Sequence, residues 1–294
     1  MWIYLDTMLW NDLCDEDPNC EELVAALKQQ DKHLVISFHL IYELARTFQG
    51  KSPEATSRAR RLFAFLKRML EQGILCANFP GDILISETEN ALQSSNGVVI
   101  FVSKDNYAAL EREVSRLSGD DLGPKASDFI DKRRREADQM RNDILNHMVN
   151  RPKLRNALAA LRPERLHSWI AKEIQNKSSI AKELAALHLS MAFPNEDNKR
   201  LRIVLKRLLS SAKYRTTHAL LRADLFSNWK GAQATTLKRD LPDDMHHMVN
   251  AAYCHVYATK EKRQVDYAHL IIGKTRIELL EPDSSVTDWL LALE

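Results

Sequence analysis

Ile3-Tyr4-Leu5-Asp6-Thr7 is a short apolar run that ends in a carboxylate and a hydroxyl. An inner strand of a parallel sheet is buried on both faces and therefore reads as continuous hydrophobics. A carboxylate at the C-terminal end of such a strand lies where open α/β sheets bind ligands. The stretch predicts an α/β chain with a central parallel sheet and sets Asp6 at its functional edge.

The pattern repeats downstream. Residues 20–30 predict a helix with Leu23, Ala26 and Leu27 on one face and Glu21 and Glu22 in its first turn. His33-Leu34-Val35-Ile36 is a second strand, and Ser37 fits as the cap of a helix over 38–48 that carries Glu43. A helix over 53–72 closes at Gly73, and Ile74-Leu75-Cys76-Ala77 is the next strand. This β-α-β-α-α-β order fits a parallel sheet with crossover helices. A helix is expected over 82–93, whereas Val98 to Val102 fits either a strand or the start of a buried helix. After Leu241-Pro242 the α/β pattern returns. Asp243 and Asp244 open a helix that runs to about Tyr253, a strand spans 254–258 and ends at Thr259, a helix covers 265–272, and a last strand covers 276–280.

The middle is different. Residues 106–239 are rich in Ala, Leu, Glu, Lys and Arg, and four to six helices are expected. Breaks fall near Gly119 to Pro124, at Arg151-Pro152, Arg162-Pro163, Phe193-Pro194 and Gly231. Strand patterns stand at both ends of the chain. Residues 1–105 and 241–294 therefore read as one α/β domain, and 106–240 as a basic helical insertion. Net charge is only +2, but residues 125–240 hold 25 Lys and Arg against 12 Asp and Glu, while the rest holds 17 against 28. An acidic body with a basic middle reads either as solvated helix faces or as a phosphate-binding surface beside an acidic site. Lys132-Arg133-Arg134-Arg135 is the densest basic run. Trp169 and Trp229 lie near basic residues and serve either core packing or base stacking.

Four cysteines without CxxC or zinc spacing fit a reduced, cytoplasmic protein, and no leader or membrane span is expected. A nucleotide-binding Rossmann enzyme is disfavoured, because neither GxGxxG nor GxxxxGK[ST] occurs among eight glycines.

Three acids share one kind of address. Asp6 ends the first strand, Glu43 lies in the helix after the second, and Asp244 begins the helix before a later strand. Asp243 with His246 is the alternative to Asp244 with His247. These residues, in Ile-Tyr-Leu-Asp-Thr at 3–7, Leu-Ile-Tyr-Glu-Leu-Ala-Arg at 40–46, and Asp244-x-x-His247 followed by the stretch from Ala251 to Thr259, resemble the PIN-domain nucleases over roughly 1–93 and 241–283. The resemblance implies a Rossmann-like three-layer PIN-like domain with a central parallel sheet, here carrying a large helical insertion. It further implies an Mg²⁺- or Mn²⁺-dependent endonuclease that hydrolyses phosphodiester bonds, usually in RNA, with Asp6, Glu43 and Asp244 as metal ligands. Magnesium prefers oxygen ligands and keeps several waters, which suits carboxylates.

The chain departs from the family at two places. Met8 stands where Asn is frequent, and Lys260-Glu261 follow Thr259 where the family usually has Asp. Either the longer Glu261 supplies the further acid, or Lys260 opposes a metal or contacts a phosphate directly. Nucleic acid, RNA foremost, is thus the expected partner, through Lys132, Arg133, Arg134, Arg135 and Lys260, with no membrane involved. A protein partner or a second copy through the insertion is the other partner class, and a degenerate scaffold that binds without cutting is the other function class.

Overall fold

The computed structural model describes residues 1–49, 53–93, 95–118, 124–193, 198–238, 240–273 and 275–294. The chain opens with β1 (Trp2–Leu5), α1 (Thr7–Glu16), α2 (Cys20–Gln29), β2 (His33–Ser37) and α3 (Phe38–Ala45), which tightens into a 3₁₀ turn, Arg46–Gln49. Next come α4 (Pro53–Glu71), β3 (Leu75–Ala77), α5 (Pro80–Ala91) and α6 (Lys104–Ser118). The helical middle contains α7 (Pro124–Val149), α8 (Pro152–Ala159), α9 (Pro163–Gln175), α10 (Ser179–Ala192), α11 (Asn198–Ser210) and α12 (Arg215–Gln233). The chain closes with α13 (Leu241–Asn250), β4 (Val256–Thr259), α14 (Lys262–Ile271), β5 (Arg276–Leu279) and α15 (Val286–Ala292).

The five strands form one all-parallel sheet in the order β3-β2-β1-β4-β5. The chain leaves β1 on one side for β2 and β3, then returns on the other for β4 and β5. The reversal lies between β1 and β4, and their carboxyl ends flank the crevice where open α/β sheets bind ligands. Registers Ile3 with Val256 and Leu5 with Ala258 set Asp6 beside Thr259 there.

Strand alternation assigns the two faces. Ile3, Leu5, Leu34, Ile36, Cys76, Val256 and Ala258 pack with α1, α2, α4, α6 and α15. Tyr4, Val35, Ala77 and Tyr257 point the other way, into one continuous core with α7, α8, α9, α10, α12, α13 and α14. The helical middle thus covers the second face of the sheet. Its first predicted helix does not belong there: α6 buries Leu110 and Val114 on the opposite face, against α4.

Seven helices span Lys104 to Gln233 among the described residues, more than the pattern predicts, because 176–178 and 211–214 interrupt it without a proline. Gly231 does not break its helix. It lies inside α12, where an added Cβ would stand 2.9 Å from Ile144 Cγ2 and 3.3 Å from Met148 Cγ, so its missing side chain lets α7 approach. The expected breaks at 119–123 and 194–197 lie outside the described residues. Val98 to Val102 forms neither strand nor helix. It runs irregularly along β3, with Phe101 bridging Ala77 and Val102 N–H donating to Cys76 O at 3.0 Å. Two short helices went unpredicted: α1, which buries Leu9, Trp10 and Leu13, and α15. Among the described residues no helix is long and apolar enough to cross a membrane.

Candidate metal centre

Asp6 follows β1 directly and caps α1, its Oδ1 accepting from Leu9 N–H at 2.8 Å. Oδ2 accepts from the Thr259 hydroxyl at the end of β4, so one carboxylate bridges the reversal point of the sheet. A carboxylate has about four lone-pair sites, and these two bonds leave acceptor capacity on both oxygens. Asp6 is 1% exposed, and burial drives its carboxyl up to about 6, against the opposing pull of Thr259, Leu9 N–H and His247.

Glu43 arrives on α3. That helix starts where it does because the Ser37 hydroxyl accepts from Leu40 N–H at 3.2 Å. Glu43 Oε2 accepts from the Thr7 hydroxyl and meets His247 Nε2. Burial pushes Glu43 up, but the charge and hydrogen bond of His247, with His39 and Thr7, outweigh it and hold the carboxyl well below its usual range.

His247 is the hub. Its Nδ1 lies 3.1 Å from Tyr4 OH, which lies 2.8 Å from Ser37 Oγ, and its Nε2 also lies 3.1 Å from Thr7 Oγ1. The ring is 1% exposed; burial favours the neutral form, yet Glu43, Asp6 and Asp244 together raise its pKa. An imidazolium there is an internal countercharge for the acids around it.

α13 brings Asp243 and Asp244 in its first turn, after Pro242 near its start, as the dipole favours. Both are buried. Asp243 Oδ2 pairs with Arg46 at 3.0 Å, and Asp244 Oδ2 with Arg263 at 3.3 Å. Burial still drives Asp243 up to about 6, with Glu43 adding to it, and Asp244 up to about 7, with Glu261 and Glu43 adding to it. Glu261, at the cap of α14, lies 3.4 Å from Arg263, and its charge reaches both Asp6 and Asp244.

Asp6, Glu43 and Asp244 therefore lie within electrostatic reach of His247, and Glu261 within reach of Asp6 and Asp244, although they come from opposite ends of the sequence. Among the described residues the ligand atoms of Glu43, His39 and His247 lie within 4.8 Å of one another, while Asp6, Asp244 and Glu261 belong to no such group. Asp243 joins them, so the two candidate acids of α13 are both present rather than alternatives. His39, Tyr4 and Ser37 complete the site and were not read from the sequence. Their only signal is position: Ser37 ends β2 and His39 lies four residues before Glu43.

Lys260 is not in this pocket. Its ammonium pairs with Asp12 Oδ2 at 2.7 Å and donates to Pro282 O at 2.8 Å and Ser284 O at 3.2 Å. These acceptors hold it against the segment before α15, so it neither opposes a metal nor offers a phosphate contact. Lys132 and Arg135 on α7 are exposed and line a groove of about 1430 Å³ between α7, α10, α11 and α12. Arg134 is half-buried, and the Arg133 side chain lies outside the described residues. Trp229 is buried, its Nε1–H donating to Leu161 O at 3.1 Å, and Trp169 packs on the same core, which leaves neither ring as a stacking platform.

Carboxylate oxygens are the donors that a hard divalent cation takes, so the chemistry of these acids suits one. Asp6, Asp243 and Asp244 are raised first by burial and only secondarily by neighbouring acids, so a cation that entered would stabilise charged forms that the interior disfavours. His247, Arg46 and Arg263 supply part of the countercharge. No protein-family model, curated protein or solved structure matches the chain.

Proposed function

We propose that the chain is a PIN-like, Mg²⁺- or Mn²⁺-dependent endonuclease that hydrolyses phosphodiester bonds in RNA. The observation that carries this reading is the electrostatic coupling of Asp6, Glu43, Asp244 and Glu261 beside the reversal point of a parallel sheet, where Asp6 accepts from Thr259. The motifs that resemble PIN nucleases supply Asp6, Glu43 and Asp244, and Glu261 stands one residue beyond the family's usual acid position. Helices on both faces of the sheet agree with the three-layer arrangement the family implies.

Asp6, Glu43 and Asp244 would hold the ion, with Glu261 as the further acid. A bound divalent ion supplies an activated water and stabilises charge on the phosphate. The chain's own residues do the rest. Thr259 and Leu9 N–H fix the Asp6 carboxylate. Thr7 and His247 orient Glu43, and the Tyr4–Ser37 relay holds the His247 ring. Arg263 spans Asp244 and Glu261, pairing with both.

A second reading rests on one specific feature. Arg46, Arg263 and His247 already partner these acids, so a scaffold that binds nucleic acid without cutting is self-consistent. Cleavage assays on single-stranded RNA with Mn²⁺ separate the two. Asp6→Asn and Asp244→Asn should each lower the rate at least about a hundredfold while leaving the far-ultraviolet circular dichroism unchanged, on the scale expected when a stabilising group of an active site is lost. Parent-level cleavage by both variants would remove the nuclease reading.

A further inference from the structure

Within the same pocket, His39, Asp243 and His246 have no ligand role in the nuclease reading. His39 on α3 is 4% exposed. Its Nε2 lies 3.8 Å from Glu43 Oε1 and 3.9 Å from Asp243 Oδ1. Both distances exceed a hydrogen bond. The His246 ring faces His39 with centroids 5.0 Å apart and planes inclined by 35°. One ligand atom each from His39, Asp243 and His246 lies within 4.8 Å of the other two. Ligand atoms about 2.1 Å from a shared ion sit about 3–4 Å from one another, so this triangle closes on a cation with small side-chain adjustments.

We propose that His39, Asp243 and His246 form a nitrogen-rich site for a divalent transition-metal ion, distinct from the carboxylate set of Asp6, Glu43 and Asp244.

The neighbours are arranged as supports. Arg46 occupies Asp243 Oδ2 at 3.0 Å and so turns Oδ1 toward His39. Outer partners that fix a ligating carboxylate in this way are the usual accompaniment of a metal. Asp243 and His246 stand three residues apart on α13, which puts them on one helix face. His39 could also group with Glu43 and His247. There, however, an ion would have to displace the contacts of a fully buried ring, His247 Nε2 with Glu43 and Thr7, whereas His246 is half-buried and can be reached from solvent. Two imidazoles and one carboxylate suit zinc, cobalt, iron or nickel, while magnesium demands oxygen ligands. Three protein ligands on a partly exposed edge leave coordination positions for water or substrate oxygen.

The test uses the full chain and Co²⁺, whose visible absorption reports nitrogen ligation directly. The parent protein should bind one equivalent with a visible band that Zn²⁺ displaces and millimolar Mg²⁺ does not. The Asp6→Asn, Asp244→Asn double variant should keep that band, which separates this inference from the nuclease reading. His246→Ala, a change at a half-exposed position, should weaken Co²⁺ binding at least about tenfold. His39→Gln should do the same, with its circular dichroism recorded to exclude unfolding. Undiminished binding by His246→Ala overturns the site. So does loss of the band in the Asp6, Asp244 variant alone, because the ion would then sit on the acids.

Discussion

Asp244 is buried with Arg263 at 3.3 Å, and its carboxyl is nonetheless pushed up to about 7. Asp6 and Asp243 are each pushed up to about 6. An acid whose pKa is higher in the folded than in the unfolded chain binds its proton more tightly when folded. It costs stability as pH rises from its ordinary value through its folded value, and the full cost is present above that. His247 acts in the same direction: its pKa is raised, so its contribution is fully present below its ordinary value and is lost as pH rises through the folded one. Glu43, held low, contributes above its ordinary value and loses that contribution only in acid. In chelator the melting temperature should therefore fall between about pH 5 and about pH 8. Asp244→Asn should flatten that fall and raise the melting temperature at the alkaline end by a few degrees, equivalent to about 1–2 kcal/mol. Saturating Mn²⁺ should flatten it in the parent by binding the folded chain alone. A parent melting curve that rises across this range would contradict the stated protonation. At this scale the sequence discloses Asp6, because a carboxylate ends an apolar strand. It discloses Glu43 and Asp244 only with the help of motif resemblance. Asp243 and Asp244 cannot be ranked from sequence, because α13 docks against α3 so that both are buried beside Glu43. The His247–Tyr4–Ser37 relay joins residues 243 and 33 positions apart and has no local signature.

Among the elements, α12 depends on a residue from another helix. Glu87 on α5 is fully buried and reaches the first turn of α12. Oε1 accepts from Thr216 N–H at 2.8 Å and from Tyr253 OH at 2.6 Å, and Oε2 accepts from Thr217 N–H at 2.8 Å and the Thr217 hydroxyl at 2.5 Å. The carboxylate caps from outside a helix whose own preceding residue, Tyr214, makes no side-chain cap bond. Glu87→Ala strands these donors in the interior and should cost about 3 kcal/mol, a melting temperature lower by roughly 6–10 °C. Glu87→Gln, which keeps one accepting oxygen, should lose about half as much. A Glu87→Ala melting temperature within about 2 °C of the parent would show that water replaces the cap. Elements with strong periodicity or a cap, such as α2, α3 and α4, were legible in advance. The helix α1 was not, because Asp6 reads as a strand end and its second role as a cap is hidden. Strand-like residues at 98–102 supply β3 with two irregular contacts instead of a sixth strand, a choice made by the space left beside β3.

At the level of the whole molecule, charge and topology act together. The basic middle covers one face of the sheet, and α7 packs against both α3 and α13, the helices that deliver Glu43 and Asp244. On the nuclease proposal, a polyanion held along α7 would lie on the helix that also touches the elements carrying the acids. Lys132 and Arg135 are exposed along this helix, and Arg202 joins them in the same groove. The groove also holds four acids, Glu136, Asp143, Glu183 and Asp224. Asp224 is paired with His188 at 2.6 Å, Glu183 with Arg151, and Asp143 accepts from Gln139 Nε2 at 2.7 Å. Lys132, Arg135 and Arg202 are, on the nuclease proposal, the cations of this groove that would meet phosphates. Single-stranded nucleic acid loses about 0.7 units of salt slope for each phosphate contact removed. Lys132→Glu combined with Arg135→Glu should therefore weaken binding of single-stranded RNA and reduce the slope of log affinity against log salt by about 1.4. The loss should be uniform across sequences, because phosphate contacts position a strand and carry no base readout. Binding should be measured in chelator with the Asp6→Asn protein, so that cleavage cannot enter the affinity. An unchanged slope would place the path of the nucleic acid elsewhere and return α7 to the status of a solvated helix face.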